Sequence, residues 1–190
     1  MRLFLAIRIE PEATLLAVMQ AIQQELKHER IKWVENHNLH VTLWFLGETD
    51  ESDLPFIRNE MLKAAAEIPP FTFLVKDCGT FGKARNPTVI WLGLQLPEPM
   101  MILHKRISNV FNDKESKQEA AAFTPHLTIG RIKQAVDATQ LRNILKTFSN
   151  MVFQECTATG FTLYRSHLTP AGPHYEALYR FDFQDTSFQT

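Results

Sequence analysis

The sequence has little cysteine, no long hydrophobic run and no excess of charge of either sign. Two of its 190 residues are cysteines, Cys78 and Cys156, so it has neither a disulfide framework nor a Cys-x-x-Cys site. This cysteine usage favours a reducing, cytoplasmic setting. No stretch approaches the roughly 20 apolar residues of a membrane-spanning helix, and Arg8 interrupts the apolar start of the chain before it reaches signal-sequence length. We therefore expect a soluble cytoplasmic protein with no membrane partner.

The charge balance also narrows the function. Lys and Arg number 20 and Asp and Glu 21, which gives a formal net charge of −1. A general nucleic-acid coat needs a basic excess, so that class is excluded, whereas a small local basic pocket is not. Hydrophobic residues make up 45% and charged residues 22% of the chain, as in ordinary globular proteins. Its length suits one large domain or two small lobes with a sizeable core.

The sequence does contain two copies of a short pattern, His40-Val41-Thr42-Leu43 and His126-Leu127-Thr128-Ile129. Each copy lies in an apolar run that is typical of a β-strand. Side chains two apart in a strand lie on the same face, so each copy presents an imidazole beside a hydroxyl. Two such pairs facing each other would surround one small anion with two acid/base groups and two hydrogen-bond donors. This set of groups can break a phosphodiester without a metal.

A third copy, His167-Leu168-Thr169, has a different context. It is followed by Pro170-Ala171-Gly172-Pro173, which is typical of a turn rather than a continuing strand. A pattern this short also occurs by chance. We therefore take the first two copies as the functional signal and leave the third out of the predicted site.

Hydrophobic periodicity predicts the order β-α-β-β-α-β-β-α-β-α-β-β. Strands and helices are mixed without a strict parallel rhythm, which indicates an α+β fold with antiparallel sheets. Helices, strands and one motif occur in each half of the sequence. We therefore expect two similar lobes, each an antiparallel sheet flanked by helices, with the active-site groove between them. Residues 1–190 are predicted to form a single two-lobed domain, with a frayed tail at 184–190.

Strict alternation makes specific predictions around each motif. On the first strand it places Trp44 on the face of His40 and Thr42, and Phe45 in the core, although for Trp44 alone packing under a helix is the simplest interpretation. On the second strand it places Arg131 on the face opposite to His126. Arg131 can contact a phosphate held by the motifs only if a bulge or a strand end intervenes.

Several ordered blocks of the chain resemble the RNA 2′,3′-cyclic phosphodiesterase family, also called 2′-5′ RNA ligases, of the two-histidine phosphoesterase superfamily. The resemblance runs nearly end to end. The blocks are Met1–Ile7, Asn38–Leu43 with Phe45–Glu48, Val89–Gly93, Phe123–Ile129 with Arg131, and Leu163–Ser166 followed by Tyr175-Glu176.

The resemblance implies hydrolysis of RNA 2′,3′-cyclic phosphate ends to 2′-phosphomonoesters, with reversible 2′-5′ RNA ligation as a further activity. It implies His40 as proton donor and His126 as proton acceptor, whereas the residues alone leave the order of these roles open. Thr42, Thr128 and Arg131 are the implied phosphate contacts. The expected partner is RNA with a 2′,3′-cyclic phosphate end or a 2′-5′-linked oligonucleotide. No metal or other cofactor is expected, and a monomer is expected because no exposed heptad or apolar strip is evident.

Two alternatives remain. In a non-catalytic module that binds RNA ends, the histidine pair would only grip the phosphate. In a metal site, His40 and His126 would be ligands, with His37 as a candidate third ligand. No carboxylate or third histidine lies at ligand spacing in either motif, however, and the threonines would be unexplained. Weaker candidates for holding RNA are Lys83, Arg85, Tyr164 and Arg165. For each of them alone, solvated loop charge or strand packing is the simpler interpretation.

Overall fold

The computed structural model describes residues 1–111, 123–170 and 172–184 of the chain. Within these residues the chain forms nine strands: β1 (Arg2–Arg8), β2 (Ile31–Trp33), β3 (His40–Glu48), β4 (Phe71–Lys83), β5 (Asn86–Gln95), β6 (His126–Ile132), β7 (Val152–Ala158), β8 (Gly160–Thr169) and β9 (Gly172–Asp182). The same residues form four α-helices: α1 (Ala13–Glu25), α2 (Leu54–Ala65), α3 (Glu98–Phe111) and α4 (Ala138–Lys146).

The strands build two antiparallel halves of similar design. One half has the strand order β3-β1-β8-β9, and the other has the order β7-β4-β5-β6, with β2 beside β6. Helices α2 and α3 pack on the first half through β9 and β3, whereas α1 and α4 pack on the second half through β7 and β4. The predicted α+β fold with two similar antiparallel halves flanked by helices is confirmed.

The two halves join at β3 and β6, so that their strands form one continuous sheet. The junction is antiparallel and pairs Val41 with Leu127, both of which are completely buried. The halves in space do not correspond to the halves of the sequence, because α1 follows β1 in the chain yet packs on the other half. Each half nevertheless carries one His-x-Thr motif at its inner edge.

Helix formation follows the apolar spacing and the capping residues of the sequence. In α1 the residues Leu15, Val18, Met19 and Ile22 recur at helical spacing, and all of them are buried. Helix α4 begins after Asp137, whose carboxylate accepts hydrogen bonds from the first-turn backbone and so caps the helix. No helix in the described ranges is long and apolar enough to cross a membrane.

The structure differs from the sequence prediction at two connections. The glycine and proline content of residues 81–87 predicts a loop, but β4 extends to Lys83 and β5 starts at Asn86, so this segment is a tight hairpin. Gly82 has a φ of +113°, which glycine adopts without strain. The stretch 151–164 has the pattern of one long strand because a single residue, Thr159, separates β7 from β8.

The described chain ends just inside the predicted frayed tail. The backbone N–H of Gln184 donates a hydrogen bond to the Ile68 carbonyl oxygen at 3.0 Å. Residues 185–190, the rest of that tail, lie outside the described residues.

Candidate active site

His40 is the first residue of β3 and has a fixed ring orientation. Its Nδ1 lies 2.7 Å from the carbonyl oxygen of Asn38. A carbonyl can only accept, so Nδ1–H donates this bond and Nε2 is the ring nitrogen left for proton transfer. The rings of Phe4 and Tyr175 pack against the imidazole at centroid distances of 5.1 and 5.2 Å. This packing limits the ring to one orientation.

The surroundings of His40 also change its proton affinity. Burial lowers the pKa of His40 below its ordinary value, because the charged imidazolium loses hydration. The hydrogen bond to Asn38 opposes this shift, whereas the positive charges of Arg131 and His126 lower the pKa of His40 further. His40 is therefore mainly neutral at neutral pH in the free protein.

His126 repeats the same arrangement at the start of β6. Its Nδ1 lies 2.8 Å from the carbonyl oxygen of Thr124, so Nε2 is again the nitrogen left for proton transfer. The ring of Phe81, from the β4–β5 hairpin, packs edge-on against the imidazole at 4.7 Å. Each motif histidine is thus held by the backbone two residues earlier and by an aromatic side chain from another strand.

The β3–β6 junction brings the two motifs side by side. Antiparallel pairing through Val41 and Leu127 sets His40 beside Thr128 and Thr42 beside His126. All four side chains line one cavity of about 670 Å³. That volume is typical of sites that hold a small-molecule or nucleotide ligand.

A bulge follows each motif and changes which side chains reach the cavity. In β6, Thr128 and Gly130 pair with consecutive residues of β5, which leaves Ile129 as an extra residue. The extra residue reverses the alternation beyond it, and Arg131 lines the cavity with His126 and Thr128. The bulge that a role for Arg131 requires is therefore present.

In β3 the equivalent bulge overturns one prediction. Thr42 and Trp44 pair with consecutive residues of β1, so Leu43 is the extra residue. Phe45, which strict alternation placed in the core, is 64% exposed and lines the cavity. Trp44 packs instead on the helix side against His104 and Phe111 of α3, so its placement on the motif face was wrong and its packing under a helix is confirmed.

The cavity is mainly positive. The charged residues that line it are Arg2, Lys32, Glu35, Arg131 and Lys133. Four of these five are cations, although the chain as a whole has a net charge of −1. A phosphate or polyphosphate ligand is thus favoured electrostatically.

Residues of the β8–β9 hairpin form the other wall of the cavity, and sequence reasoning did not assign them to the site. Tyr175 packs on His40, and burial raises the pKa of the Tyr175 hydroxyl, an effect that Arg131 and Arg2 oppose. The Asn38 amide donates a hydrogen bond to the Pro173 carbonyl oxygen at 3.2 Å, which ties the hairpin to the segment before β3. The signal that could have indicated this wall is the Tyr175-Glu176 block of the family resemblance.

The four weaker candidates for holding RNA do not line the large cavity. Tyr164 lines a smaller cavity of about 140 Å³, which shares His40 with the large one. Among the described residues, the linings of these two cavities do not include Lys83, Arg85 or Arg165. His167, from the third His-x-Thr copy, does not line the large cavity, and its Nε2 lies 2.8 Å from Oε2 of Glu176.

The described part of the chain shows no group of three or more His, Cys, Asp or Glu side chains that could hold a metal ion. His37, the third ligand of the alternative metal site, instead pairs with Glu35 at 3.2 Å.

Comparison with known proteins agrees with this arrangement. A family model for the 2′-5′ RNA ligase superfamily matches residues 10–170. A curated relative named RNA 2′,3′-cyclic phosphodiesterase, from Methanocaldococcus jannaschii, is 37% identical over 94% of this chain and 98% of its own length. A relative of the same name from Thermotoga maritima is 33% identical over 97% of this chain and 96% of its own length.

Solved structures show the same fold. The crystal structure of TT0787 from Thermus thermophilus has a TM-score of 0.77 and 28% identity, over 96% of this chain and 98% of its own. The structure of E. coli LigT complexed with 3′-AMP has a TM-score of 0.71 and 25% identity, over 97% and 98%. The family match, the relatives and the shared fold lead to one conclusion: the chain belongs to the 2′-5′ RNA ligase superfamily.

Proposed function

We propose that this protein is an RNA-processing enzyme that hydrolyses RNA 2′,3′-cyclic phosphate ends to 2′-phosphomonoesters. The observation that carries this proposal is the pair of His-x-Thr motifs held side by side beside one cationic cavity. Each histidine has Nδ1 bonded to a backbone carbonyl, which leaves Nε2 for proton transfer. The names of the relatives support the same reaction and substrate class.

In the proposed mechanism the two histidines have complementary roles. His126 accepts a proton from water as the water oxygen attacks phosphorus, and the P–O3′ bond breaks in line. His40 donates its proton to the departing O3′, so that the phosphate stays on O2′. Thr42 and Thr128 donate hydrogen bonds to the non-bridging oxygens, where Arg131 offsets the charge that develops in the transition state.

The lowered pKa of His40 is compatible with its role as donor. A bound phosphodiester brings a negative charge next to the imidazole, and a nearby opposite charge favours the charged form. Substrate binding is therefore expected to raise the pKa of His40, so that His40 becomes protonated and can donate this proton to O3′. In the product complex the phosphate charge continues to favour reprotonation of His40.

The same groups can use the hydroxyl of a second RNA in place of water as the nucleophile. When the 5′-hydroxyl of a second RNA replaces water, His126 accepts its proton and a 2′-5′ phosphodiester forms as P–O3′ breaks. Reversible 2′-5′ ligation is thus part of the proposal. Both hydrolysis and ligation are proposed to proceed without a metal or other cofactor, because the two imidazoles supply the acid and the base.

The alternative function, a module that binds RNA ends without turnover, uses the same cavity. The two are separated by titrating a short RNA with a 2′,3′-cyclic phosphate end and by following its hydrolysis under the same conditions. The proposal predicts multiple turnovers. Binding of the RNA end without turnover would support the module and contradict the enzyme.

We also propose that the chain acts as a single two-lobed domain and as a monomer in the cytoplasm. Completely buried Val41 and Leu127 at the junction of the two halves support the single domain. Light scattering coupled to gel filtration tests the monomer, for which the expected mass is 21.9 kDa.

A further inference from the structure

Phe45 is an exposed aromatic residue that the hydrolysis mechanism does not use. The residue is 64% exposed and lines the cavity that contains both motif histidines. The nearby Phe4 ring lies 6.1 Å away and tilted, so a broad part of the Phe45 surface faces solvent. A flat apolar ring beside a cationic phosphate site is the usual platform for a nucleobase.

The position of Phe45 follows from the local symmetry of the two motifs. Phe45 is the fifth residue after His40, and Arg131 is the fifth residue after His126. Each is returned to the cavity by a bulge that begins three residues after its histidine. Because β3 and β6 are antiparallel, the chain beyond each motif runs in opposite directions. Phe45 and Arg131 therefore lie toward opposite ends of the cavity floor.

The pairing also assigns one histidine to each end. Val41 lies opposite Leu127, so His126 lies opposite Thr42. Along β3, Thr42 comes after His40 and before Phe45. Phe45 is thus at the His126 end. Arg131 is at the His40 end, in agreement with the lowering of the pKa of His40 by its charge.

A second feature of the His126 end suits a nucleic-acid strand. Arg2 lines the cavity and pairs in register with Glu48, three residues after Phe45. A cation and an aromatic ring therefore lie at the same end. This combination is typical of surfaces that hold single-stranded RNA, because the cation meets the backbone and the ring meets a base.

The chemistry determines which base can reach Phe45. In an in-line displacement the departing O3′ lies at the His40 end and the entering oxygen lies at the His126 end. In hydrolysis the entering oxygen belongs to water, which carries no base. In 2′-5′ transesterification it is the O5′ of a second RNA, whose nucleoside extends from the His126 end toward Phe45.

We infer that Phe45 is the stacking platform for the nucleobase of the RNA that carries the reacting 5′-hydroxyl. This inference rests on the proposed function and adds a binding site for its second substrate. In ligation the P–O5′ bond forms and P–O3′ breaks, while the O5′ proton passes to His126 and the His40 proton passes to O3′. In the reverse reaction the 3′-hydroxyl attacks phosphorus and gives its proton to His40, and His126 protonates the departing O5′.

The test compares two substrates of the reverse reaction. One is a 2′-5′-linked diadenosine monophosphate, and the other is the same compound with an abasic residue on O5′. Replacement of Phe45 by Ala is expected to reduce the preference for the first substrate over the second, measured as the ratio of kcat/KM values, by about 5- to 150-fold. Phe45→Trp should keep the preference, and Phe45→Leu, which keeps apolar contact with Phe4 but not the flat ring, should lose it.

A matched control is available on α2. Phe56 is 57% exposed but does not belong to the cavity lining among the described residues. Phe56→Ala should leave the preference unchanged. An equal loss on both substrates in Phe45→Ala would overturn the inference and indicate a structural role for this ring.

Hydrolysis of adenosine 2′,3′-cyclic phosphate separates the inference from the proposed function. Wild-type protein that hydrolyses this compound but does not cleave the 2′-5′ linkage would overturn the inference together with the proposed ligation, and it would leave the proposed hydrolysis intact. A base-dependent loss confined to cyclic phosphate hydrolysis would assign Phe45 to the other nucleoside and would equally overturn the inference. Absence of both activities in the wild type would contradict the proposed function itself.

Discussion

His40 and His126 have the same backbone anchor but different surroundings. Both rings bond through Nδ1 to a carbonyl two residues earlier, whereas Phe4 and Tyr175 pack on His40 and Phe81 packs on His126. A two-proton reaction needs an acid and a base, because one group must give a proton while the other takes one. The local sequence is symmetric, and the packing around it makes the chemistry asymmetric.

Replacing either motif histidine by alanine should remove one proton transfer. We expect kcat/KM for a cyclic-phosphate RNA to fall by about 10²- to 10⁴-fold in His40→Ala and in His126→Ala, the usual size of general acid–base assistance. The matched control is His167→Ala in the third His-x-Thr copy, which should retain wild-type rates. A loss of about tenfold or less in His126→Ala would be incompatible with its role as base.

Arg131 should control the pH dependence of the reaction through His40. If His40 is the donor, the alkaline limb of the pH profile of kcat/KM reports the loss of its proton. The Arg131 charge lowers the pKa of His40, so Arg131→Gln raises it and should move the alkaline limb to higher pH. The rate at the optimum should fall by about 10- to 150-fold, because a charged contact to the phosphate is lost.

Lys133→Gln provides the comparison for this prediction. Lys133 also lines the cavity, but it is not among the charges that shift the pKa of His40. Its removal should weaken substrate binding and leave the alkaline limb in place. If the alkaline limb of the kcat/KM profile stays at the same pH in Arg131→Gln, a group other than His40 determines that limb.

At the scale of elements, bulges decide which residues belong to the site. The histidines and threonines could be predicted because two-residue alternation holds within each short motif. Beyond Leu43 and Ile129 that alternation reverses, and a period-two pattern carries no mark of an extra residue. For this reason the sequence pattern predicts Phe45 in the core. It also cannot show whether β6 contains the bulge that Arg131 needs to reach the site.

The β4–β5 hairpin is a second element whose role depends on close packing. A Cβ atom on Gly79 would lie 2.5 Å from the indole Cζ2 of Trp91. The Trp91 ring packs on Phe81 at 5.3 Å, and Phe81 packs on His126 at 4.7 Å. The glycine therefore leaves room for the aromatic stack that orients the proposed base.

Gly79→Ala should disturb both stability and activity through this stack. Overpacking is expected to lower the free energy of unfolding by about 1–3 kcal/mol, measured by urea denaturation, and kcat should fall because Phe81 no longer fixes His126. Adding Trp91→Phe removes the part of the indole that clashes, together with a buried Nε1 that has no partner in the described structure. The double variant should recover part of the stability, and additive losses would contradict the steric account.

At the scale of the whole molecule, the α+β class and the meeting of the motifs were predictable, but the way they meet was not. Mixed strands and helices indicated antiparallel halves, and the chemistry required the motifs to be close. Helix α1 packs on the half opposite to the one that contains β1, and Tyr175 forms a wall of the site. Both arrangements depend on long-range packing and on sheet twist. Local sequence patterns carry no information about such pairings.

The junction of the halves should make unfolding a single event. Leu127 is completely buried at the β3–β6 pair, so Leu127→Ala is expected to cost about 2–5 kcal/mol of stability through lost burial and the cavity that remains. Near-UV and far-UV circular dichroism should report coincident urea transitions in this variant and in the wild type. Separate transitions would show that the halves unfold as independent units.

The most direct test of the central claim is the position of the phosphate in the product. A short RNA with a 2′,3′-cyclic phosphate end is incubated with the wild-type protein in the presence of EDTA, and the terminal phosphate is located. The account predicts a 2′-phosphate, because His40 protonates O3′ and no metal takes part. A 3′-phosphate would mean that the P–O2′ bond breaks, and loss of turnover in EDTA would mean that a metal is required. Either result would contradict the two-histidine mechanism.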